Sequence, residues 1–201
     1  MKKIIITISR EYGSGGRQIG QRVARELGID FYNRNLIDMV AKESGLAAEY
    51  IDKMEEKLSS RFIWGQTLGW RMPGGYYSNE DKMYITQSNI IRDVAAKGPC
   101  VIVGRCADYV LSGREEAMNV FVRADLDSRL QRLVNEYGVD AKRAAATAQN
   151  TDKGRANYYR HYTDRDWGDM NNYHLTLDSS LYGIEGAVQL IVDAAKIAFA
   201  D

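Results

Sequence analysis

The chain has 201 residues, 45% of them hydrophobic, with 27 lysines and arginines balanced by 27 aspartates and glutamates. That length supports one α/β domain, residues 1–201, with a sizeable core. The zero net charge excludes the global basic field on which nucleic-acid and membrane-surface binders rely, so any anion site has to be built locally. No apolar stretch approaches the roughly 18 to 20 residues of a membrane span, and the N-terminal run is too short for a signal peptide, so a cytoplasmic protein without membrane or nucleic-acid partners is expected.

Strands and helices alternate along the chain. A β-branched run over 3–8 predicts the first strand and is followed by a glycine cluster and a helix over 16–27. Next come a short strand at 30–32 and a helix at 35–44. The segment 47–82 breaks the pattern: it contains RFIWGQTLGWRMPGGYYSNEDK, rich in aromatics and glycine. A long stretch without a periodic pattern inside a compact domain usually serves function. The segment is therefore assigned to substrate covering or to subunit contact, the latter through 62–77 in a homo-oligomer. A helix at 85–97, a strand at 100–103, a strand at 119–122 and helices at 126–137 and 141–161 follow. A strand at 173–177 and a helix at 184–200 complete a βαβ series. Several strands are continuous apolar runs, which predicts a mostly parallel five-stranded sheet covered by helices on both faces.

The two cysteines, Cys100 and Cys106, flank the apolar run VIVG and read as reduced core thiols. His161 and His174 have no cysteine or carboxylate at ligand spacing, so no protein-built metal centre is expected. Asp125 and Asp178 follow strands and read as helix caps.

The stretch REYGSGGRQIG, residues 10–20, carries the most chemistry. Gly13, Gly15 and Gly16 lack the Cβ atoms that would block a tight turn, and they surround Ser14. The backbone amides of Gly13 to Arg17 can then point inward, and the helix starting near Gly16 adds its positive end, which makes an anion cradle. No lysine stands where phosphate loops usually keep one. The dinucleotide fingerprint G-x-G-x-x-G misses, with Gln18 where its third glycine belongs.

Taken together, TISREYGSGGRQIGQRVARELG, DFYNRNLI, CVIVGRCADYVL, FVRADLDSRLQRL and DKGRANYYRHYTDRDWGDMNNYHLTLDSS resemble the cytidylate kinase-like family, a branch of the P-loop nucleoside monophosphate kinases. The resemblance spans nearly the whole chain and is weakest over 47–82. It implies a three-layer P-loop fold with a segment that binds a nucleoside monophosphate and a helical lid over about 150–168. It also implies ATP and Mg2+ as cofactors and phosphoryl transfer to CMP or dCMP.

Carried to individual positions, the resemblance assigns ATP phosphates to Gly13, Ser14, Gly15, Gly16, Arg17 and Gln18. An ungapped comparison puts Arg10 on the first glycine of the family loop and Gly16 on its lysine, and a slide by one puts Arg17 on the lysine. Arg17 is the nearest cation and is expected to act in catalysis, with Arg10 or a lid cation next in line for the missing lysine's role. Arg34 and Arg105 fall where such kinases place acceptor-phosphate arginines, with Arg155 and Asn157 beside them. In the lid, Lys153, Asn157 and Arg160 share one helix face, and Lys153 and Arg160 are expected to close over the transferring phosphoryl group. Two further readings stay open: a nucleotide-binding regulatory protein without kinase activity, and an NADP-dependent oxidoreductase with Arg34 on the 2′-phosphate.

Overall fold

A computed structural model describes residues 3–33, 35–44 and 79–200. Five strands form one sheet: β1 (Ile5–Arg10), β2 (Asp30–Tyr32), β3 (Cys100–Val103), β4 (Ala117–Arg123) and β5 (Leu175–Asp178). Their order is β2-β3-β1-β4-β5, and every neighbouring pair runs parallel. The helices are α1 (Gly16–Leu27), α2 (Asn35–Ser44), α3 (Asn79–Lys97), α4 (Ala107–Val110), α5 (Leu126–Asn135), α6 (Ala141–Thr163) and α7 (Ser179–Ala198).

Alternation along β1 divides its side chains between two cores. Ile4, Ile6 and Ile8 pack with Ile19 and Val23 of α1 and with Ile191 of α7 on one face. Ile5 packs with Leu36 of α2 and Ile90 and Ile91 of α3 on the other. Each of these isoleucines is fully buried, and such burial stabilises the fold by about 1.5–3 kcal/mol per side chain. The three-layer, mostly parallel architecture read from the sequence is the one observed. The chain leaves β1 toward β2 on one side and leaves the adjacent β3 toward β4 on the other, so a crevice opens at the carboxyl ends of β1 and β3.

Element ends depart from the sequence reading where tertiary contacts override local pattern. Strand β1 runs on to Arg10 because β4 continues to pair with it, Arg10 opposite Val122. Helix α3 starts at Asn79 instead of 85. Helix α7 starts at Ser179, capped by Asp178, and is interrupted at Gly183 (φ 66°, ψ 178°), so the expected start at 184 is the beginning of its second part. Helix α4 had no sequence signal. Asp125, which caps α5 by accepting from the Ser128 amide, and Asp178 both act as the expected caps. Cys100 and Cys106 are buried free thiols, and burial pushes the Cys100 thiol up to about 11. Residues 47–78, including the aromatic stretch 62–77, lie outside the described residues. Among the described residues no helix is long and apolar enough to cross a membrane.

Candidate active site

The glycine-rich loop joins β1 to α1, and its shape is held from outside. Gly13 and Gly15 adopt left-handed backbone (φ 84° and 78°), and Gly15 is the N-cap of α1, with no side chain to offer the first helical amides. Those amides have no intrahelical acceptor. A Cβ on Gly13 would stand 2.9 Å from the Arg129 carbonyl oxygen, and one on Gly15 would collide with Ile184 Cδ1. The glycines are thus required by the packing of α5 and α7 against the loop. Ser14 is fully buried; its hydroxyl donates to the Glu11 carbonyl (2.9 Å), and its own carbonyl accepts from Ser179 Oγ (2.6 Å).

Arg129 of α5 organises the back of the loop. Its Nε donates to the Tyr12 carbonyl (2.8 Å), its Nη2 pairs with Asp152 of α6, and its Nη1 lies 3.5 Å from Glu11 Oε2. Asp152 Oδ1 in turn accepts from the Tyr12 amide (2.7 Å), and Glu11 Oε2 from the Ala124 amide (3.0 Å). Arg132 Nη1 donates to the Gly13 carbonyl (2.5 Å). Buried ions are tolerated when paired in this way.

A cavity of about 470 Å³ opens at the carboxyl ends of β1 and β3, beneath α6. Three arginines line it: Arg10, Arg105 and Arg155. Arg155 Nη1 donates to the Arg10 carbonyl (2.8 Å), and its guanidinium stands 5.4 Å from the Tyr12 ring centroid. Arg105 follows β3 in left-handed backbone (φ 61°), as do Gly104 (φ 77°) and Cys106 (φ 54°). Such a conformation costs a non-glycine residue about 1–3 kcal/mol and clusters at functional sites. Gln87, fully buried on α3, holds Arg105: its Oε1 accepts from Arg105 Nη1 (2.9 Å) while its Nε2 donates to Tyr158 Oη (3.1 Å). Ser9, Thr147, Asn150 and Thr151 add hydroxyl and amide groups, and Tyr158, Tyr159 and Trp167 supply aromatic walls. Trp167 is itself braced edge-on against Phe121, with centroids 5.2 Å apart.

A concave site with a cluster of cations, a few hydroxyls and aromatic walls suits an anionic ligand carrying a planar ring. The chain matches the model of the cytidylate kinase-like family over residues 5–181. It belongs to that family. It is 25% identical over 190 residues to the cytidylate kinase of Aeropyrum pernix, covering 94% of this chain and 97% of that one. It is 22% identical to the cytidylate kinase of Methanothrix thermoacetophila, covering 96% and 98%. Among solved structures, a protein from Eubacterium ventriosum superposes with a TM-score of 0.74 at 27% identity, over 96% and 99% of the two chains. The shikimate kinase of Bacteroides thetaiotaomicron shares the fold, with a TM-score of 0.56 at 15% identity over 96% and 98%.

Of the positions that the family resemblance singled out, Arg105 and Arg155 line the cavity and none of Gly13 to Gln18 does; Arg155 reaches the Arg10 carbonyl at the start of the loop. Arg17 is exposed at the start of α1 and does not line the cavity. Gln18 is partly exposed. On α6, the face carrying Thr147, Thr151, Gly154 and Tyr158 lines the cavity, and the stripe of Lys153, Asn157 and Arg160 does not. Lys153 is exposed, and Arg160 pairs with Asp166 at the surface. Arg34 lies outside the described residues. Sequence reasoning missed Gln87, Arg129, Asp152 and Trp167; an arginine and an aspartate in separate helices give no spacing signal. Among the described residues no cluster of three acidic, histidine or cysteine groups could hold a metal ion.

Proposed function

We propose that the chain is a nucleotide kinase that transfers the γ-phosphoryl group of ATP to a nucleoside monophosphate such as CMP or dCMP. The observation that carries this reading is the cavity wall shared by Arg10, Arg105 and Arg155, at the end of the strand that leads into the glycine-rich loop. The similarity to named cytidylate kinases supports the acceptor class. In the transfer, a phosphate oxygen of the acceptor forms a bond to the γ-phosphorus while the bond from that phosphorus to the ADP oxygen breaks. The site's task is to position both and neutralise the equatorial oxygens.

The loop amides from Gly13 to Arg17 take phosphate oxygens of ATP, as the start of α1 favours anions. Arg105, preset by Gln87, takes the acceptor phosphate, and Arg155 reaches from the lid helix to the Arg10 carbonyl at the start of the loop. Trp167, Tyr158 and Tyr159 flank the acceptor's base. Among the described residues no carboxylate lines the cavity. The Ser9 and Thr151 hydroxyls in that wall would offer oxygen ligands to magnesium arriving with ATP. Held there, magnesium would supply charge neutralisation for the phosphates. Lys153, Asn157 and Arg160 reach the phosphoryl group only if α6 turns on closing, and Arg17 acts from the outer rim.

The test is ADP release from ATP and Mg2+ against a panel of nucleoside monophosphates, with shikimate as a control acceptor. Turnover with CMP or dCMP above the other bases is the expected result. ATP binding without turnover for any acceptor would favour the regulatory reading.

A further inference from the structure

Phosphate loops of the strand, glycine and helix type carry a lysine near the first helical residue, where it reaches the β- and γ-phosphates. Here that residue is Gly16, the first of α1. Strand alternation sends Arg10 to the same face of β1 as Ile6 and Ile8, which is the face α1 covers. The Arg10 stem therefore lies directly against Gly16. A Cβ built on Gly16 would stand 2.5 Å from Arg10 Cβ and 3.0 Å from Arg10 Cγ. A lysine at 16 and an arginine at 10 exclude each other.

The far end of the same side chain is also accommodated by a glycine. Arg10 Nη1 lies against Gly104, and a Cβ on Gly104 would collide with it. Gly16 beneath the stem and Gly104 beneath the head form a track that delivers the guanidinium to the cavity wall, beside Arg105 and Arg155. The Arg10 backbone is held as well, by pairing with Val122 and by the bond from Arg155 Nη1 to its carbonyl.

Building on the phosphate-binding reading of this cavity, we propose that Arg10 replaces the missing loop lysine. The cation has moved from the start of the helix to the end of the strand, and the two positions have exchanged side chains, glycine for lysine at 16 and arginine for glycine at 10. The ligand class is the terminal phosphates of a nucleoside triphosphate. A guanidinium in this position binds two oxygens at once through its planar fork, where a lysine offers a point charge.

The test measures binding of inorganic tripolyphosphate and of ADP by calorimetry to the full chain and four variants. Arg10→Met keeps the stem's packing on Gly16 and removes the charge, so the fold, checked by its melting transition, is retained. Tripolyphosphate affinity should fall about tenfold to a hundredfold, the scale of a lost charge-assisted hydrogen bond. The double variant Arg10→Gly with Gly16→Lys should recover most of that loss. Gly16→Lys alone should lose binding or fold, since Arg10 fills the space. Arg17→Ala should change affinity by less than Arg10→Met.

Wild-type affinity in a folded Arg10→Met variant overturns the proposal, as does wild-type affinity in Gly16→Lys alone. A double variant that folds and binds no better than Arg10→Met also overturns it. A wild-type chain that binds neither probe overturns the phosphate reading of the cavity itself, and the proposal with it.

Discussion

Tyr159 donates its hydroxyl to Asp108 Oδ2 across 2.6 Å, and both residues are buried beside the cavity that Tyr159 lines. Asp108 Oδ1 has no hydrogen-bond partner among the described residues. Burial raises the Asp108 carboxyl above its ordinary 3.8, and the Tyr159 hydroxyl only partly opposes that. The folded state therefore holds this proton more tightly than the unfolded chain. Its contribution is full below the unfolded carboxylate range and is lost as pH rises from there through the folded pKa. Asp108→Asn keeps an acceptor for Tyr159 and removes the titration. Denaturant unfolding from about pH 3.5 to about pH 7 should show wild type losing stability relative to this variant; a constant difference between the two would mean that Asp108 ionises alike in both states.

Removing Arg129 should be costly to the fold. It is 8% exposed and serves the Tyr12 carbonyl, Asp152 and Glu11 together. Arg129→Ala leaves the partly buried Asp152 with only Arg155, 3.8 Å away, as a cation, and removing one partner of a buried pair typically costs about 3–5 kcal/mol. Urea midpoints should fall accordingly, and Arg129→Lys should restore only part, because a single ammonium cannot reproduce the fork. A loss under about 1 kcal/mol would make the network ornamental to stability.

Arg105→Ala should weaken acceptor binding by about 1.5–3 kcal/mol and leave ATP affinity nearly unchanged. Gln87→Leu should reproduce part of this effect at a distance, since Gln87 orients the Arg105 side chain. Acceptor and ATP affinities measured separately in each variant decide the matter: equal losses for both ligands would show a general disturbance of the fold.

Gly15→Ala should destabilise by two separable effects, a left-handed backbone that disfavours a Cβ and a collision with Ile184 Cδ1. Adding Ile184→Ala should relieve the collision and leave the backbone cost of about 1 kcal/mol. Thermal melts of the single and double variants would separate the two, and a double variant no less stable than Ile184→Ala alone would remove the backbone effect.

The strand and helix pattern was legible because parallel strands buried on both faces write continuous apolar runs, as at Cys100–Val103, where expected and observed bounds coincide. Arg105 was legible because a cation directly after such a run has few places to go. The α6 face was not: Lys153, Asn157 and Arg160 do share a side, yet which side meets the cavity depends on the docking of Ala144 and Ala148 against Leu133 of α5, a tertiary fact. Arg10 was read as falling on a glycine position and, after Arg17, as next in line with the lid cations for the missing lysine's role. Its meaning depends on Gly16 and Gly104 standing on either side of it, and Gly104 is far away in sequence.

Helix α6 grips the loop by its main chain at two places, with Asp152 accepting from the Tyr12 amide and Arg155 donating to the Arg10 carbonyl. Neither bond involves a ligand. A shift of α6 alone would break both, at about 1.5–3 kcal/mol each for bonds to charged groups, so helix and loop travel as one lever. Whatever tightens the loop on a ligand must also bias where α6 rests, and by reciprocity a substitution that displaces α6 alters ligand affinity at the loop by the same free energy.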